Sequence, residues 1–210
     1  MIRKQIHEKG ILAKLLEQGI RILLVKECKE ISNVKIDIIS SSTEIIKGEI
    51  QKITIIADDI NYKDLIFDSF NLEANHIKIN IRSTNKELSF IDIPVIKFKI
   101  SLSQNSLRTV LFSDKWNWIR NMISEEILNQ KTLEDIEISN GKVLMKSSDK
   151  NITTCKVEQI NIKSEEGKIY LENKSNNKAI QIPIEEKIYI ENVTIENSLI
   201  NFIANSPISF

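Results

Sequence analysis

Two histidines, two cysteines, adjacent carboxylates such as Asp58-Asp59 and Glu185-Glu186, and two tryptophans are the side chains of this 210-residue sequence whose chemistry could reach beyond packing. His7 and His76 each lack a Cys, Asp or Glu at ligand spacing that would orient the ring, so both read as ordinary surface or turn histidines. Cys28 and Cys155 lie far apart and form no CxxC, which fits two buried or idle thiols in a reducing compartment. Asp58-Asp59 and Glu185-Glu186 are sequence neighbours, and neighbours on a strand point to opposite faces, so solvated turn residues are the better reading. There is no GxSxG, HExxH or Gly-rich phosphate loop. The expectation is a non-enzymatic protein with no catalytic residue, no metal site and no cofactor.

Trp116 and Trp118 are more suggestive. Aromatic residues on an amphipathic helix can enter a membrane interface or gate an apolar cavity. Lys115 and Arg120 flank them and could meet lipid phosphates, which makes Lys115, Trp118 and Arg120 the candidate membrane-contact set. The plainer alternative packs Trp116 in a core and leaves Trp118 half exposed.

These residues need elements to hold them. Residues 2–29 read as a long helix: Leu12, Leu16, Ile20 and Leu23 recur at helical spacing, and Ile11, Leu15, Ile22 and Val25 widen the stripe until it could be covered on most sides. Strands follow over residues 34–102, beginning with the alternation of Val34, Ile36 and Ile38 against Lys35 and Asp37. The segment from Tyr62 to Phe70 is ambiguous, and Pro94 divides the run from Leu88 to Leu102 where its apolar parity switches. Helices are expected over 105–130, started by Ser103 or Asn105, broken at Ser113-Asp114, with Phe112, Trp116, Ile119, Ile123 and Ile127 on one face. Residues 133–205 read as strands joined by tight turns, in an antiparallel meander.

One pattern recurs in the strands. Ile50-Gln-Lys-Ile53-Thr-Ile55, Leu133-Glu-Asp-Ile136-Glu-Ile138, Val157-Glu-Gln-Ile160-Asn-Ile162 and Ile190-Glu-Asn-Val193-Thr-Ile195 each put the first apolar residue on the wrong parity. A bulge or bend after it would bring all three to one side, and repeated bulges curl a sheet. An Ile-rich chain also produces such patterns by coincidence.

Composition narrows the partners. With 29 acidic and 29 basic residues the formal net charge is zero, which argues against a general nucleic-acid binder. No segment approaches a membrane span and no clean signal peptide is visible, so the expected location is cytoplasmic, peripheral to the inner face of a membrane. The order helix, strands, helices, strands is an α+β plan.

That order, with the Val34-Lys-Ile-Asp-Ile strand, the stretch from Ile45 through Gly48 and Ile53 to Ala57 followed by Tyr62 and Leu65, and Phe98-Lys-Ile-Ser-Leu-Ser103 running into Asn105-Ser-Leu107-Arg-Thr-Val-Leu111, resembles the bacterial LmeA-like phospholipid-binding family. The resemblance implies one domain over residues 1–210 with a TULIP-like fold: a highly curved antiparallel sheet wrapped around the long N-terminal helix, with phospholipid tails inside. The apolar faces of helix and strands then supply the candidate lipid-binding residues Leu12, Leu16, Ile20, Leu23, Ile53, Ile55, Ile79, Phe98, Ile100, Phe112, Trp116 and Ile119. The expected partner is a phospholipid or other acyl lipid. The alternative is a structural or adaptor protein with a filled core that binds a protein through a sheet edge or the Trp116 helix.

Overall fold

Among the described residues every strand pairing in the computed structural model is antiparallel, and the strands form two sheets. The structure describes residues 10–82, 87–149 and 152–208; His7, the start of the expected first helix and the expected turn at Ser83 to Lys86 lie outside them. The first sheet holds β1 (Glu30–Ile39), β2 (Glu49–Tyr62), β3 (Leu65–Arg82), β4 (Glu87–Phe90) and β5 (Val95–Ser103). Its last two members are β11 (Tyr189–Glu196) and β12 (Leu199–Pro207), giving the order β1-β2-β3-β5-β12-β11 with β4 paired to β3. The second sheet is the meander β6 (Thr132–Ser139), β7 (Lys142–Asp149), β8 (Ile152–Glu165), β9 (Lys168–Asn173) and β10 (Lys178–Ile182). The expected C-terminal meander therefore ends at β10. The last hairpin leaves it and pairs with β5 along the full length of β12.

Pairs of residues at positive φ, with Asn, Asp or Gly in each pair, make the hairpins, as the twist of flanking strands requires. Lys63-Asp64 joins β2 to β3, Asn140-Gly141 joins β6 to β7, Glu166-Gly167 joins β8 to β9, and Asn197-Ser198 joins β11 to β12. The ambiguous stretch after Tyr62 is thus a two-residue turn and the start of a long strand. Ser40 to Thr43, read as a turn, opens the short helix α2 (Ser42–Ile46), capped by Ser41 and Glu44, which exchange hydrogen bonds through each other's backbone N–H. Gly48 follows at φ 79°, where a Cβ would collide with the Ile79 carbonyl.

Two of the four irregular patterns show the expected bulge, and a third reaches one core by another route. Leu133 and Ile190 are each followed by a register shift, and Leu133, Ile136 and Ile138 are all buried together. Around Ile50 the β2–β3 register stays continuous, but His76, opposite Gln51, sits at φ 52°. Ile50 and Ile55 on one strand, and Ala74 and Ile77 on the other, all reach the same core despite mixed parity. The fourth pattern fails. Register is unbroken around Val157, so Val157 is exposed and Glu158 takes the buried position. The Asp58-Asp59 pair belongs to another bulge rather than to a turn. Asp59 is at φ 49°, the Ser32 hydroxyl donates to Asp59 Oδ2 (2.7 Å), and Asn33 Nδ2 donates to Asp58 Oδ2 (3.1 Å).

The first helix, α1 (Ile11–Glu27), packs against the edge strand β1 and α2 and is not enclosed. Ala13 is its single fully buried residue, and Ile20, Leu24 and Cys28 also pack inward. Leu16 and Leu23, expected in the core, are exposed. Glu17, expected on a polar face, lies on the inner side, where its Oε1 accepts from the Ile38 N–H (2.8 Å) and satisfies a donor on the sheet's edge. The central helices match expectation closely: α3 (Gln104–Leu111), capped by Ser103, a break, α4 (Asn117–Met122) and a π-helical turn at Ile123–Ile127. Ile123 and Ile127 are buried in the second core, with Phe112 and Ile119 packed against it.

Candidate functional site

The cross-strand register aligns apolar rows across the first sheet. Ile36, Ile55, Leu72, Phe98, Ala204 and Ile190 form one row over six strands, and Ala57, Phe70, Ile100, Phe202 and Val193 form the next. α1 covers the β1–β3 end of this face, making one core. The second sheet and the central helices cover the β12–β11 end, making another. β5 runs between the two cores, and its inward residues Ile96, Phe98 and Ile100 are half-buried. Phe98 meets Phe70 with ring centres 6.3 Å apart. The middle of the sheet is therefore an apolar trough.

Each end of the trough carries a cavity. One of about 170 Å³ lies behind the C-terminal half of α1, lined by Leu24, Cys28, Ile31, Ile55, Ala57, Ile60, Tyr62, Phe67 and Phe70. The other, of about 140 Å³, lies between the sheets under α3 and α4, lined among others by Leu102, Leu107, Ile119, Met145, Leu171 and Phe202. Both are open to solvent on one side, and their wholly apolar walls suit an apolar guest of about the size of benzene. Burial pushes the Cys28 thiol up from its ordinary value, with Glu27 adding to the effect, so at neutral pH the thiol is a neutral part of the wall.

Of the twelve candidate lipid-binding residues, Ile55 and Ile119 line these cavities. Phe98 and Ile100 lie in the trough between them, while Ile20, Ile53 and Ile79 pack against the first core. Leu12 is half-buried on α1; Leu16 and Leu23 face away from both cavities. Phe112 packs against the second core. Trp116 is held at the β2–β3 turn, where its indole N–H donates to the Lys63 carbonyl (3.3 Å), with the Trp118 ring 6.3 Å away. Trp118 and Lys115 are exposed, whereas the Arg120 guanidinium lies 5.1 Å from the centre of the Phe112 ring and is half-buried. Phe67, Phe70 and Phe202 were not marked by sequence reasoning, because only the cross-strand register shows that they share a face with Ile55 and Ile100.

A polar cluster closes the second core near the π-helical turn. Glu158, 2% exposed, accepts from Asn173 Nδ2 and pairs with Lys156 (3.1 Å) and Lys131 (3.5 Å). Burial raises its pKa, but the hydrogen bond from Asn173 and the adjacent Lys156 and Lys131 ammonium groups outweigh it and hold the carboxyl below its ordinary value. Asn173 and Asn176 also donate to the Ile127 carbonyl, a group the widened turn leaves free. The cluster thus ties β8 and β9 to the central helices. Cys155, expected to be buried or idle, is exposed, and His76 marks the bend in β3.

No family model, curated protein or solved structure matches the chain. Among the described residues no group of three His, Cys, Asp or Glu is placed to hold a metal, and no helix is long and apolar enough to cross a membrane.

Proposed function

We propose that this protein binds an acyl lipid, a phospholipid or a similar amphiphile, and carries or presents it at a membrane surface without acting as an enzyme. The observation that carries the reading is the apolar trough along β5 with an apolar pocket on either side of it. Burial of acyl carbons contributes about 0.8 kcal/mol per CH₂ and needs no polar partners, so an aliphatic lining of this kind suits a chain rather than a polar substrate. The resemblance to the LmeA-like family, and through it to TULIP-like lipid carriers, supports the same reading and would make a full tubular wrap the ligand-bound form.

Native mass spectrometry of the purified protein, with extraction and analysis of any bound lipid, tests the proposal. A ligand-free protein that also fails to take lipid from vesicles would overturn it. Pull-down from cells tests the adaptor alternative, which the exposed Trp118 favours.

A further inference from the structure

We infer that the outward face of α1 is a docking surface for an anionic lipid bilayer; this rests on the lipid-binding reading and names the face that would meet the membrane. The helix carries two apolar stripes. Ala13, Ile20 and Leu24 pack inward, while Ile11, Leu15, Ile22 and Val25, half a turn away around the axis, are each more than half exposed. Leu23 is also exposed beside this second stripe. Ile46 of α2 is 71% exposed, and Gly10 at the start of α1 fits tightly against Ser42 of that helix.

Charge decides the occupant. The acid in the middle of the helix, Glu17, is turned inward to the Ile38 N–H, so the exposed charges along α1 are Lys14, Arg21 and Lys26 against Glu27 alone. An apolar stripe flanked by cations is the composition of a helix that lies in the plane of an anionic membrane, its stripe among the acyl chains and its cations at the headgroups. The inner side of the same helix contributes Leu24 and Cys28 to the 170 Å³ cavity. A docked α1 would place that cavity roughly one helix diameter, ~10 Å, from the lipid. A second copy of the chain could cover the same stripe without needing the cations.

The test is flotation of the full chain with vesicles of phosphatidylcholine mixed with phosphatidylglycerol, and with phosphatidylcholine alone. Two variants are compared, L15D/I22D and K14E/R21E, both at exposed positions, with melting temperature and lipid content measured on each. The wild-type protein should float with the anionic vesicles. Both variants should bind roughly tenfold less or weaker still, with unchanged melting and unchanged bound lipid. Equal flotation of L15D/I22D and wild type would overturn the inference. So would a wild-type protein that ignores both vesicles and sediments as a dimer that L15D/I22D splits. Loss of flotation in the variants with no lipid carried by any protein would sustain the docking face and remove the cargo reading instead.

Discussion

Ala57→Leu separates a lipid cavity from an unfilled corner of a packed core. Ala57 is almost fully buried on β2 and lines the cavity of about 170 Å³ with Ile55, Ile60 and Phe70. Leucine adds three carbons there, and their burial is worth about 2.4 kcal/mol at about 0.8 kcal/mol per carbon. Crowding in a folded core costs about 1–3 kcal/mol, so the two terms nearly cancel. The melting temperature of the ligand-free protein should then move by about 6 °C or less, at about 2–4 °C per kcal/mol for a chain of this size. A ligand loses the place of those carbons. Forfeiting about 2.4 kcal/mol weakens binding roughly fiftyfold. Thermal melting by circular dichroism reads the first quantity, and displacement of a fluorescent fatty acid, with lipid load by mass spectrometry, reads the second. Undiminished loading would refute the assignment of this cavity, and a collapse of melting by ten degrees or more would show that the space is not available to a side chain.

Other perturbations follow from the same geometry. Glu158→Ala, which strips Asn173 and two lysines of their shared acceptor, should cost about 3 kcal/mol, read as a drop of about 6–12 °C in melting temperature. Because the folded carboxyl lies below its ordinary value of 4.5, its contribution is complete above that value and is lost as pH falls through the folded pKa; the acid side of the stability profile should flatten in Glu158→Gln, and an identical profile would remove Glu158 from the account. Gly48→Ala forces a Cβ onto the Ile79 carbonyl at positive φ, and urea titration should show a loss of about 2 kcal/mol or more. Val157→Asp should leave melting within about 2 °C of wild type, since Val157 faces solvent. Ile160→Asp, three residues on and 1% exposed, should prevent folding, which soluble expression would reveal.

Periodicity carried much of the fold because isoleucine marks buried positions densely in this chain. The central helices, their break after Phe112 and the buried pair Ile123 and Ile127 were legible from spacing alone. So were the bulges after Leu133 and Ile190. Val157 misled because hydrophobicity says nothing about register: the strand keeps its parity and buries a glutamate whose partners, Asn173 and Lys131, are distant in sequence. α1 misled in the opposite direction. Eight apolar residues around most of its circumference promise enclosure, yet a helix on the edge of a sheet has one covered side, and the rest of the stripe stays in solvent. The trough was only half legible, since Phe98 and Ile100 stand out on β5 while their neighbours Phe70 and Phe202 are set by pairings that span the chain.

The pairing of β12 with β5 has a consequence for how the molecule is made. The Ser101 hydroxyl donates to Asn201 Oδ1 at 2.7 Å across 100 residues of intervening sequence, in the middle of the first sheet. When a ribosome has released β5, one edge of that strand has no partner until the last hairpin emerges, many seconds later at ~5–20 residues per second. Over that interval the strand presents a row of open N–H and C=O groups beside Phe98 and Ile100, which is the kind of surface that joins strands of other chains. The lysines at 97 and 99, alternating with those apolar residues, supply the charge repulsion that natural edges use against such pairing. A nascent chain stalled before residue 189 should therefore be a chaperone substrate, while the finished chain, with its last strand sealing the sheet, should not.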